Sequence, residues 1–459
     1  MCLAANLPLA VSSGSGQQTK FNQHQHQHQP WPALGPPSPP PCSTTPTSHT
    51  SRAGRYTMAR GAAGRAVSFS TSPAADLSAP RVEPMNATSS EQWEFDGVSA
   101  DGTQAFIFGF YRDPNYSFLG TGHLRAYAEL ASLAPNGSAT HRYAVVDYAE
   151  ESTVETVTCP DDAGGATVTR GVWRGSDFVY EFEVAMVSAD GDNSNKKHAT
   201  ARIAMTSPDA NISVVMTAVA PPRFANNALW PAAGREPRDS DSDSANATLL
   251  TVPHFYWAEP IPVGDVVVDA VVQPWPAATR RVRWAGMGGY ERLWGAFNWY
   301  TCLAGMVAVR ARAGPFALSY VEFASGRRPG LAVASVLLAE DGEMVFGTRR
   351  TAPSGGEDFV SMRKLYGGGG ATTEALADKV TGVELVLVSP GRGKEWRFVV
   401  EHKNVGFEYV LGEGVGGTGY SGLAEGGLVG SPAQWTGSAF SEVMRFPKKS
   451  WLLAKNYAD

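Results

Sequence analysis

The chain contains 459 residues, 43% of them hydrophobic, which is enough apolar side chain for more than one packed domain. Its formal net charge of -6 and the lack of a basic, aromatic-rich stripe exclude the usual electrostatic footprint of a nucleic-acid-binding protein. The longest apolar runs, such as VVVDAVV at 266–272, have the length of a strand, so no membrane-spanning helix is expected.

Residues 1–89 read as a low-complexity tail rich in Ser, Thr, Pro, Gln and His, with QHQHQHQP at 23–30 and PPSPPP at 36–41. Such a composition buries too little apolar surface to offset chain entropy, which predicts disorder. The absence of acidic residues from 1–75 gives the tail a weak similarity to a transit peptide. The first residues lack the basic and apolar regions of a signal peptide, so we expect a cytoplasmic protein.

Two cysteines lie in the patterned part of the chain. Cys159 and Cys302 lack the spacing of a metal site, which favours buried thiols in a reducing compartment. The sequence also lacks a P-loop, an HExxH motif, a Gly-x-Ser-x-Gly elbow and a dinucleotide fingerprint. No cofactor and no metal are implied.

From about residue 90 onward the chain consists of short runs of β-branched and aromatic residues between turn residues. Tyr180, Phe182 and Val184 alternate with Glu181 and Glu183, which indicates a strand with one face in water. One short helix is expected at 371–380. The other predicted strands are TQAFIFGFY (103–111), HRYAVVDYA (141–149), NISVVMTAV (211–219), GVELVLVS (382–389) and EWRFVVEHK (395–403). Many short strands separated by turns predict an all-β sandwich or barrel.

An acidic, serine-rich segment at 226–248 interrupts this pattern and is typical of a linker or a long surface loop. We place a domain boundary there. The predicted organisation is a disordered tail at 1–89, an N-terminal β-sandwich or lipocalin-like domain at 90–249 and a C-terminal lipocalin-like β-barrel domain at 250–459.

The stretch GMGGYERLWGAFNW at 286–299 combines four glycines with four aromatic residues. Glycines on barrel strands can leave space that aromatic side chains then line, which indicates a ligand pocket. Ordinary core packing is the alternative. The Glu291–Arg292 dipeptide would be costly to bury unpaired, but adjacent side chains of a strand point to opposite faces, so only one of the two needs to face inward.

These residues carry a resemblance to the fungal Diels-Alderase family, which is related to carotenoid-hydratase-like and AttH-like proteins with two lipocalin-like domains. The resemblance includes WEFDGVSADGTQAFIFGFYRDPNY (93–116), RGVWRGSDFVYEFEV (170–184), VPHFYWAEPIPVGDV (252–266), 286–299 and EYVLGEGVGGTGYSGLAEGG (408–427). The wider group commonly has a His-Asp pair where this chain has Tyr290 and Glu291. That difference argues against hydratase chemistry based on such a pair.

The resemblance implies a cofactor-independent enzyme that cyclises a linear polyene joined to a pyrrolone or tetramate by an intramolecular [4+2] cycloaddition. It further implies a small-molecule substrate from a polyketide synthase–peptide synthetase pathway, with a mycotoxin-like cytochalasan isoindolone core as one product class. Arg292 and Asn298 are candidate hydrogen-bond donors, with His254 and Tyr320 in reserve, and Glu291 would orient Arg292 or a water. The expected aromatic walls are Tyr256, Trp257, Trp294, Phe297 and Trp299.

Two other functions remain open on the sequence. An acid–base isomerase or hydratase on the same scaffold would use Glu291 as a proton donor with a raised pKa. A lipocalin-like carrier for an apolar metabolite would use the same pocket without catalysis.

Overall fold

The computed structural model describes residues 46–54, 68–70, 76–83, 85, 89–113, 123–134, 137, 140–159, 166–188, 197–230, 251–252, 255–273, 278–295, 302–373, 376–412 and 414–446. Within these ranges the protein is built from strands and one short 3-10 turn at Pro390–Arg392. The expected all-β architecture is confirmed. No helix in this part of the chain is long and apolar enough to cross a membrane.

The strands up to residue 295 are β1 (Thr47–Gly54), β2 (Ser68–Phe69), β3 (Val82–Glu83), β4 (Ser90–Ser99), β5 (Gln104–Arg112), β6 (Leu124–Leu133), β7 (Thr140–Tyr148), β8 (Glu151–Thr158), β9 (Thr167–Arg174), β10 (Val179–Ser188), β11 (Lys197–Ser207), β12 (Ala210–Ala218), β13 (Arg223–Phe224), β14 (Phe255–Val272) and β15 (Arg280–Gly295). Apart from the small β2–β3 sheet, they form the first sheet, with 13 strands in the order β1-β8-β9-β10-β11-β12-β14-β15-β4-β5-β6-β7 and β13 beside β14.

The remaining strands form the second sheet. They are β16 (Leu303–Ala313), β17 (Phe316–Ser325), β18 (Ala332–Glu340), β19 (Glu343–Thr348), β20 (Phe359–Tyr366), β21 (Val380–Ser389), β22 (Lys394–Gly412), β23 (Val415–Leu428) and β24 (Trp435–Arg445). The nine strands follow the order β19-β18-β17-β16-β24-β23-β22-β21-β20, and neighbours pair antiparallel.

Both sheets curl so that strands distant in the sheet order pack against each other. In the first sheet, the Trp93 ring on β4 lies 5.4 Å from the Trp173 ring on β9. In the second sheet, the Phe346 ring on β19 lies 5.8 Å from the Trp396 ring on β22. Each sheet thereby encloses its own apolar core, as expected for lipocalin-like barrels.

The alternation of side chains explains this arrangement. On β5, Phe106, Phe108 and Phe110 point into the core of the first sheet. The intervening Ile107 belongs to a separate apolar cluster that also contains Leu337 of β18, so it points toward the second sheet. Strand β5 therefore contributes side chains to the core of the first sheet on one face and to the apolar cluster shared with the second sheet on the other.

The predicted domain boundary at 249/250 stays a prediction. The two strands that follow it in the chain, β14 and β15, pair with β12 and β4 of the first sheet. They are also the longest strands of that sheet, and β14 has register shifts near Ala258, Ile261 and Gly264. Such irregularities bend a strand and increase its twist.

The folded part of the chain begins earlier than the low-complexity pattern indicates. Strand β1 pairs with β8, although its composition is typical of the tail. Leu77 and Arg81 are also buried, and the Trp93 indole donates to the Ser78 carbonyl at 2.9 Å. Composition did not reveal these contacts because their partners lie in the first sheet, far along the sequence.

Two further expectations need correction. The described residues of 371–380 contain no helix, because this segment leads into β21 with its Leu376 side chain buried in a small apolar cluster. Cys302 is buried and outside any disulfide as expected, whereas Cys159 is disulfide-bonded.

Candidate functional site

A cavity of about 500 Å³ lies between the two sheets. One wall comes from strands β4 to β7 of the first sheet, and the other comes from β22, β24 and the residue that follows β24. This intersheet cavity is lined by Gln92, Glu94, Ile107, Tyr111, Arg125, Tyr127, Glu129, Arg142, Ala144, Val146, Phe407, Glu408, Tyr409, Glu442, Met444 and Phe446. Its size is within the range of small-molecule sites.

The register of β4, β5 and β6 determines which side chains lie next to each other on the first wall. Gln92 and Glu94 lie two residues apart on β4, so they share a face, and Gln92 is directly opposite Tyr111 of β5. Tyr111 is in turn opposite Arg125 of β6. A Cβ at position 109 would lie 2.3 Å from the Tyr111 ring, so glycine there lets this ring lie along the wall.

The inner end of the intersheet cavity is polar. Neither the oxygen nor the nitrogen of the buried Gln92 amide has a partner among the described residues, and the same holds for Oε1 of Glu442. The Tyr111 hydroxyl donates to Glu94 Oε2 over a long 3.5 Å, and the Arg125 guanidinium lies 4.0 Å from the Tyr111 ring centroid. Buried polar groups without partners are unfavourable unless a ligand or water satisfies them, so these atoms indicate a binding site.

The outer end has its own polar group. The Tyr127 hydroxyl donates to Glu129 Oε2, and Arg142 lies 3.7 Å from Glu129 Oε1. Burial raises the pKa of Glu129 to about 7, although the Tyr127 hydrogen bond and Arg142 oppose this shift. Val146 at this end is 46% exposed, which places the mouth of the cavity near β7.

A buried ion network lies behind the inner end. Arg310 of β16 donates to Asp96, to Glu259 at 3.2 Å and to Glu291 at 3.3 Å. Arg223 donates to the other oxygen of Glu259 at 2.6 Å. These bonds join the first sheet to the second, since Asp96, Glu259 and Glu291 lie on β4, β14 and β15.

The surroundings shift the acidity of both carboxyl groups at the inner end. Burial, followed by the nearby Glu291 and Asp96 carboxylates, raises the pKa of Glu94 to about 8. Burial, followed by the Glu94 carboxylate, raises the pKa of Glu442 well above its ordinary value. Both shifts favour the protonated form of the carboxyl group, which can donate a hydrogen bond.

Among the predicted site residues, Arg292 is fully buried, and each of its guanidinium nitrogens donates a hydrogen bond. It donates to Glu91 Oε1 at 2.6 Å and to the carbonyls of Gln92, Ala79 and Leu77 at 2.8, 2.9 and 3.3 Å. Its guanidinium also lies 3.9 Å from the centroid of a Trp93 ring. These hydrogen bonds hold the 76–83 segment against the first sheet.

The other predicted residues are separated into different layers. Trp294 stacks on Tyr256 at a ring distance of 5.8 Å in the first core, and the Trp257 indole donates to Glu291 Oε2 at 3.0 Å. Tyr320 lies in the second core, where its hydroxyl donates to Glu322. None of these described side chains lines the intersheet cavity, so their substrate roles stay predictions. His254, Phe297, Asn298 and Trp299 lie outside the described residues.

Sequence reasoning missed Gln92, Glu94 and Glu442 as site residues. A signal was present for Glu94, because it lies in the WEFD stretch and shares a strand face with Gln92. Glu442 lies about 350 residues further along the chain, and no local pattern shows that β24 packs near β4.

The chain is similar to proteins of a known family. The family model described as Diels-Alderase-like matches residues 50–447. The chain is 44% identical to Diels-Alderase cheD of Chaetomium globosum, over 89% of this chain and 86% of the relative. It is 42% identical to Diels-Alderase phmD of Phaeosphaeria nodorum, over 85% and 97% of the two chains.

The crystal structure of CghA with Sch210972 shares the fold. It superposes with a TM-score of 0.69 at 21% identity and covers 87% of this chain and 100% of that chain. The family match spans almost all of the described residues, and the two relatives are matched over most of their length. The chain therefore belongs to the Diels-Alderase-like family.

Proposed function

We propose that this chain catalyses an intramolecular [4+2] cycloaddition of a linear polyketide–amino acid intermediate inside the intersheet cavity. Family membership supports the reaction class. The proposal includes a polyene pyrrolone or tetramate substrate, supply by a polyketide synthase–peptide synthetase pathway in the cytoplasm, and a cytochalasan-type isoindolone core as the product class.

The observation that carries the proposal is the composition of the cavity wall. Ile107, Phe407, Tyr409, Met444 and Phe446 give it extended apolar and aromatic surface between the two sheets. A polyene in water samples many conformers, and a shaped apolar space selects those in which diene and dienophile are close. Orientation of this kind can supply up to ~7–11 kcal/mol in the best cases.

The polar inner end supplies the second requirement of such a catalyst. A hydrogen bond to the carbonyl attached to the dienophile withdraws electron density and speeds the cycloaddition. Such a bond is stronger in a site that excludes water. Gln92 presents an unpartnered amide there, while Glu94 and Glu442 lie beside it on the wall.

The alternative proton-transfer function depends on Glu291. Both Trp257 and Arg310 donate to this carboxylate, and it lies behind the cavity wall. Burial raises the pKa of Glu291, as this alternative requires, although Arg310 and Trp257 oppose the shift. Its position behind the wall, where its oxygen already accepts these bonds, gives it no contact with a ligand in the cavity. The carrier alternative uses the same cavity and differs only in the outcome of a turnover measurement.

A substitution at the mouth tests the proposed location. We expect Ala144→Trp to obstruct the intersheet cavity and to lower cyclisation of the linear polyene by at least ~10-fold, since misplacement of a reacting group by about 1 Å already costs ~100-fold in rate. Ala332→Trp, at an exposed alanine of β18 that does not line the cavity, is the matched control. Purified variants are compared by the rate and the stereoisomer ratio of the product.

The outcomes separate the three functions. Equal product ratios with and without wild-type protein would identify a carrier. A product that differs from the substrate by the mass of water would identify a hydratase. If Ala144→Trp cyclises as fast as Ala332→Trp, the reaction takes place elsewhere on the molecule.

Deletion of the gene in its native fungus tests the pathway. We expect an uncyclised polyene, or its shunt products, to accumulate with the same mass as the missing cyclised compound. An unchanged metabolite profile would contradict the proposed link to a polyketide synthase–peptide synthetase.

A further inference from the structure

Two carboxyl groups enter the intersheet cavity from different sheets. Glu94 lies on β4 of the first sheet and Glu442 lies on β24 of the second. Glu94 is also directly opposite Glu291 of β15, so three acidic residues come together at the inner end. Ionised carboxylates at such close range repel one another strongly when they are buried.

The buried cations nearby are already occupied by other carboxylates. Arg310 binds Asp96, Glu259 and Glu291, and Arg223 binds Glu259. No ion pair reaches Glu94 or Glu442 from any residue that the structure describes. Two guanidinium groups therefore already serve three carboxylates. Arg125 on the cavity wall also favours the ionised form of Glu94, but one further cation does not balance two further carboxylates, so ionisation of both Glu94 and Glu442 would leave uncompensated negative charge.

The surroundings of the pair favour retention of a proton. Asp96, Glu291 and Arg310 face it from β4, β15 and β16, while Tyr111 and Arg125 face it from β5 and β6. The pKa of Glu94 is raised to about 8 and that of Glu442 is raised well above its ordinary value, each by burial first and neighbouring carboxylates second. Arg310 opposes both shifts, and Arg125 opposes that of Glu94. Two acids that interact in this way titrate as a pair.

The polar atoms of Gln92 and Glu442 that have no partner indicate which groups a ligand must present at the inner end. Glu442 Oε1 and both polar atoms of the Gln92 amide lack partners among the described residues. A protonated carboxyl donates a hydrogen bond, and an amide both donates and accepts. A lactam presents a carbonyl acceptor next to an N–H donor and carries no charge, whereas an ionised enolate would meet the excess of carboxylates.

We propose that Glu94 and Glu442 form an acid pair in which a protonated carboxyl group donates a hydrogen bond to the carbonyl of an uncharged lactam in the substrate. The Gln92 amide completes the contact with the lactam. This inference rests on the function proposed above and narrows its substrate class to neutral pyrrolones. No covalent bond forms between enzyme and substrate, and the proton stays on the carboxyl group that donates it.

A binding experiment tests the preference for an uncharged head group. The probes are a 3-acyl-pyrrol-2-one and a 3-acyl tetramic acid that carry the same saturated chain, which cannot cyclise. Titration calorimetry of the full chain at about pH 7 is expected to give at least ~10-fold tighter binding of the pyrrolone. Both probes carry the lactam N–H, but only the tetramic acid is an ionised enolate that the neighbouring carboxylates repel. Equal or tighter binding of the tetramic acid would overturn the proposal.

A kinetic experiment tests the acid pair itself. Only the protonated pair donates, so we expect the wild-type cyclisation rate on a pyrrolone substrate to fall as the pH rises between about 7 and 10. Glu442→Leu should lower the rate by about 10- to 100-fold, since it removes one donor in a low-dielectric site. The double variant Glu94→Gln/Glu442→Gln keeps amide donors that do not titrate, so its pH profile should be flat.

Glu395→Gln, at an exposed position of β22 outside the cavity, is the matched control and should keep the wild-type profile. A flat wild-type profile, or a folded Glu442→Leu variant with the wild-type rate, would overturn the acid pair and leave the cycloaddition intact. No acceleration by the wild-type chain on any polyene would count against the proposed function itself.

Discussion

The Arg292 side chain shows how one buried charge can organise a distant part of the chain. Each of its three guanidinium nitrogens donates a hydrogen bond, and three of the four acceptors are the backbone carbonyls of Leu77, Ala79 and Gln92. Burial of an arginine is costly unless each donor is satisfied, and here the N-terminal segment supplies part of that satisfaction. The position of the 76–83 segment therefore depends on Arg292 of β15, and the burial of Arg292 depends on that segment.

We expect Arg292→Ala to lower the free energy of unfolding by about 3–5 kcal/mol, because it leaves the buried Glu91 without its ion partner. Arg281→Ala on the same strand is the matched control. Its side chain is 60% exposed and pairs with Asp269, so the expected loss is below about 1 kcal/mol. Urea denaturation of both variants checks the difference, and a fully stable Arg292→Ala variant that had lost turnover would instead favour a catalytic role.

The glycines of 286–299 determine how closely β15 can pack against its neighbours. A Cβ at Gly286 would lie 1.9 Å from the Val98 carbonyl oxygen, and one at Gly288 would lie 2.2 Å from the Asp96 carbonyl oxygen. A Cβ at Gly289 would lie 2.2 Å from Nε of Arg310. These glycines let β15 approach β4 and leave room for the arginine of the ion network.

Gly289→Ala should therefore be destabilising. Arg310 is held by Asp96, Glu259, Glu291 and the Pro262 carbonyl, so its side chain cannot move aside without losing buried bonds. Overpacking of this kind costs about 1–3 kcal/mol. Thermal unfolding measures the loss, with Gly391→Ala as the control because a Cβ there would meet no atom within 4 Å. Equal melting temperatures for the two variants would show that Arg310 is less constrained than its bonds indicate.

Period-two patterning was sufficient to predict strands and an all-β fold, because each strand has its own alternation. The same period predicted that Glu291 and Arg292 point to opposite faces. Both side chains are nevertheless buried, Glu291 against the ion network and Arg292 against the N-terminal segment, because β15 is covered on both faces. The intersheet cavity could not be predicted in this way. Its walls join Gln92 to Met444 through the packing of two sheets, and the same alternation occurs on strands that line no cavity.

At the scale of the whole molecule, the buried carboxyl groups link stability to pH. Burial raises the pKa of Glu94 to about 8 and that of Glu129 to about 7, above their ordinary value of 4.5. Between these values the folded protein holds more protons than the unfolded chain, so folding is favoured at low pH and loses stability as the pH rises toward 8. The buried His402, whose pKa is lowered to about 4, acts in the opposite sense only below its ordinary value of 6.5.

We therefore expect the free energy of unfolding to fall between about pH 6.5 and pH 8 at low salt. Glu94→Gln should reduce this slope, because the amide does not ionise, whereas Glu395→Gln at an exposed position should leave it unchanged. Denaturant titrations at both pH values provide the test. A slope that Glu94→Gln leaves intact would assign the pH dependence to other groups.

The central position of β14 and β15 has a consequence for dividing the molecule. These two strands bridge β12 and β4, so a chain cut at residue 250 would leave the first fragment with a gap in the middle of its sheet. We expect fragments 1–249 and 250–459 to be insoluble when produced separately and to recover cyclisation when produced together. The protein would then behave as a split enzyme, in which the second fragment supplies β14 and β15 to the sheet of the first. A soluble, independently folded first fragment would contradict this expectation.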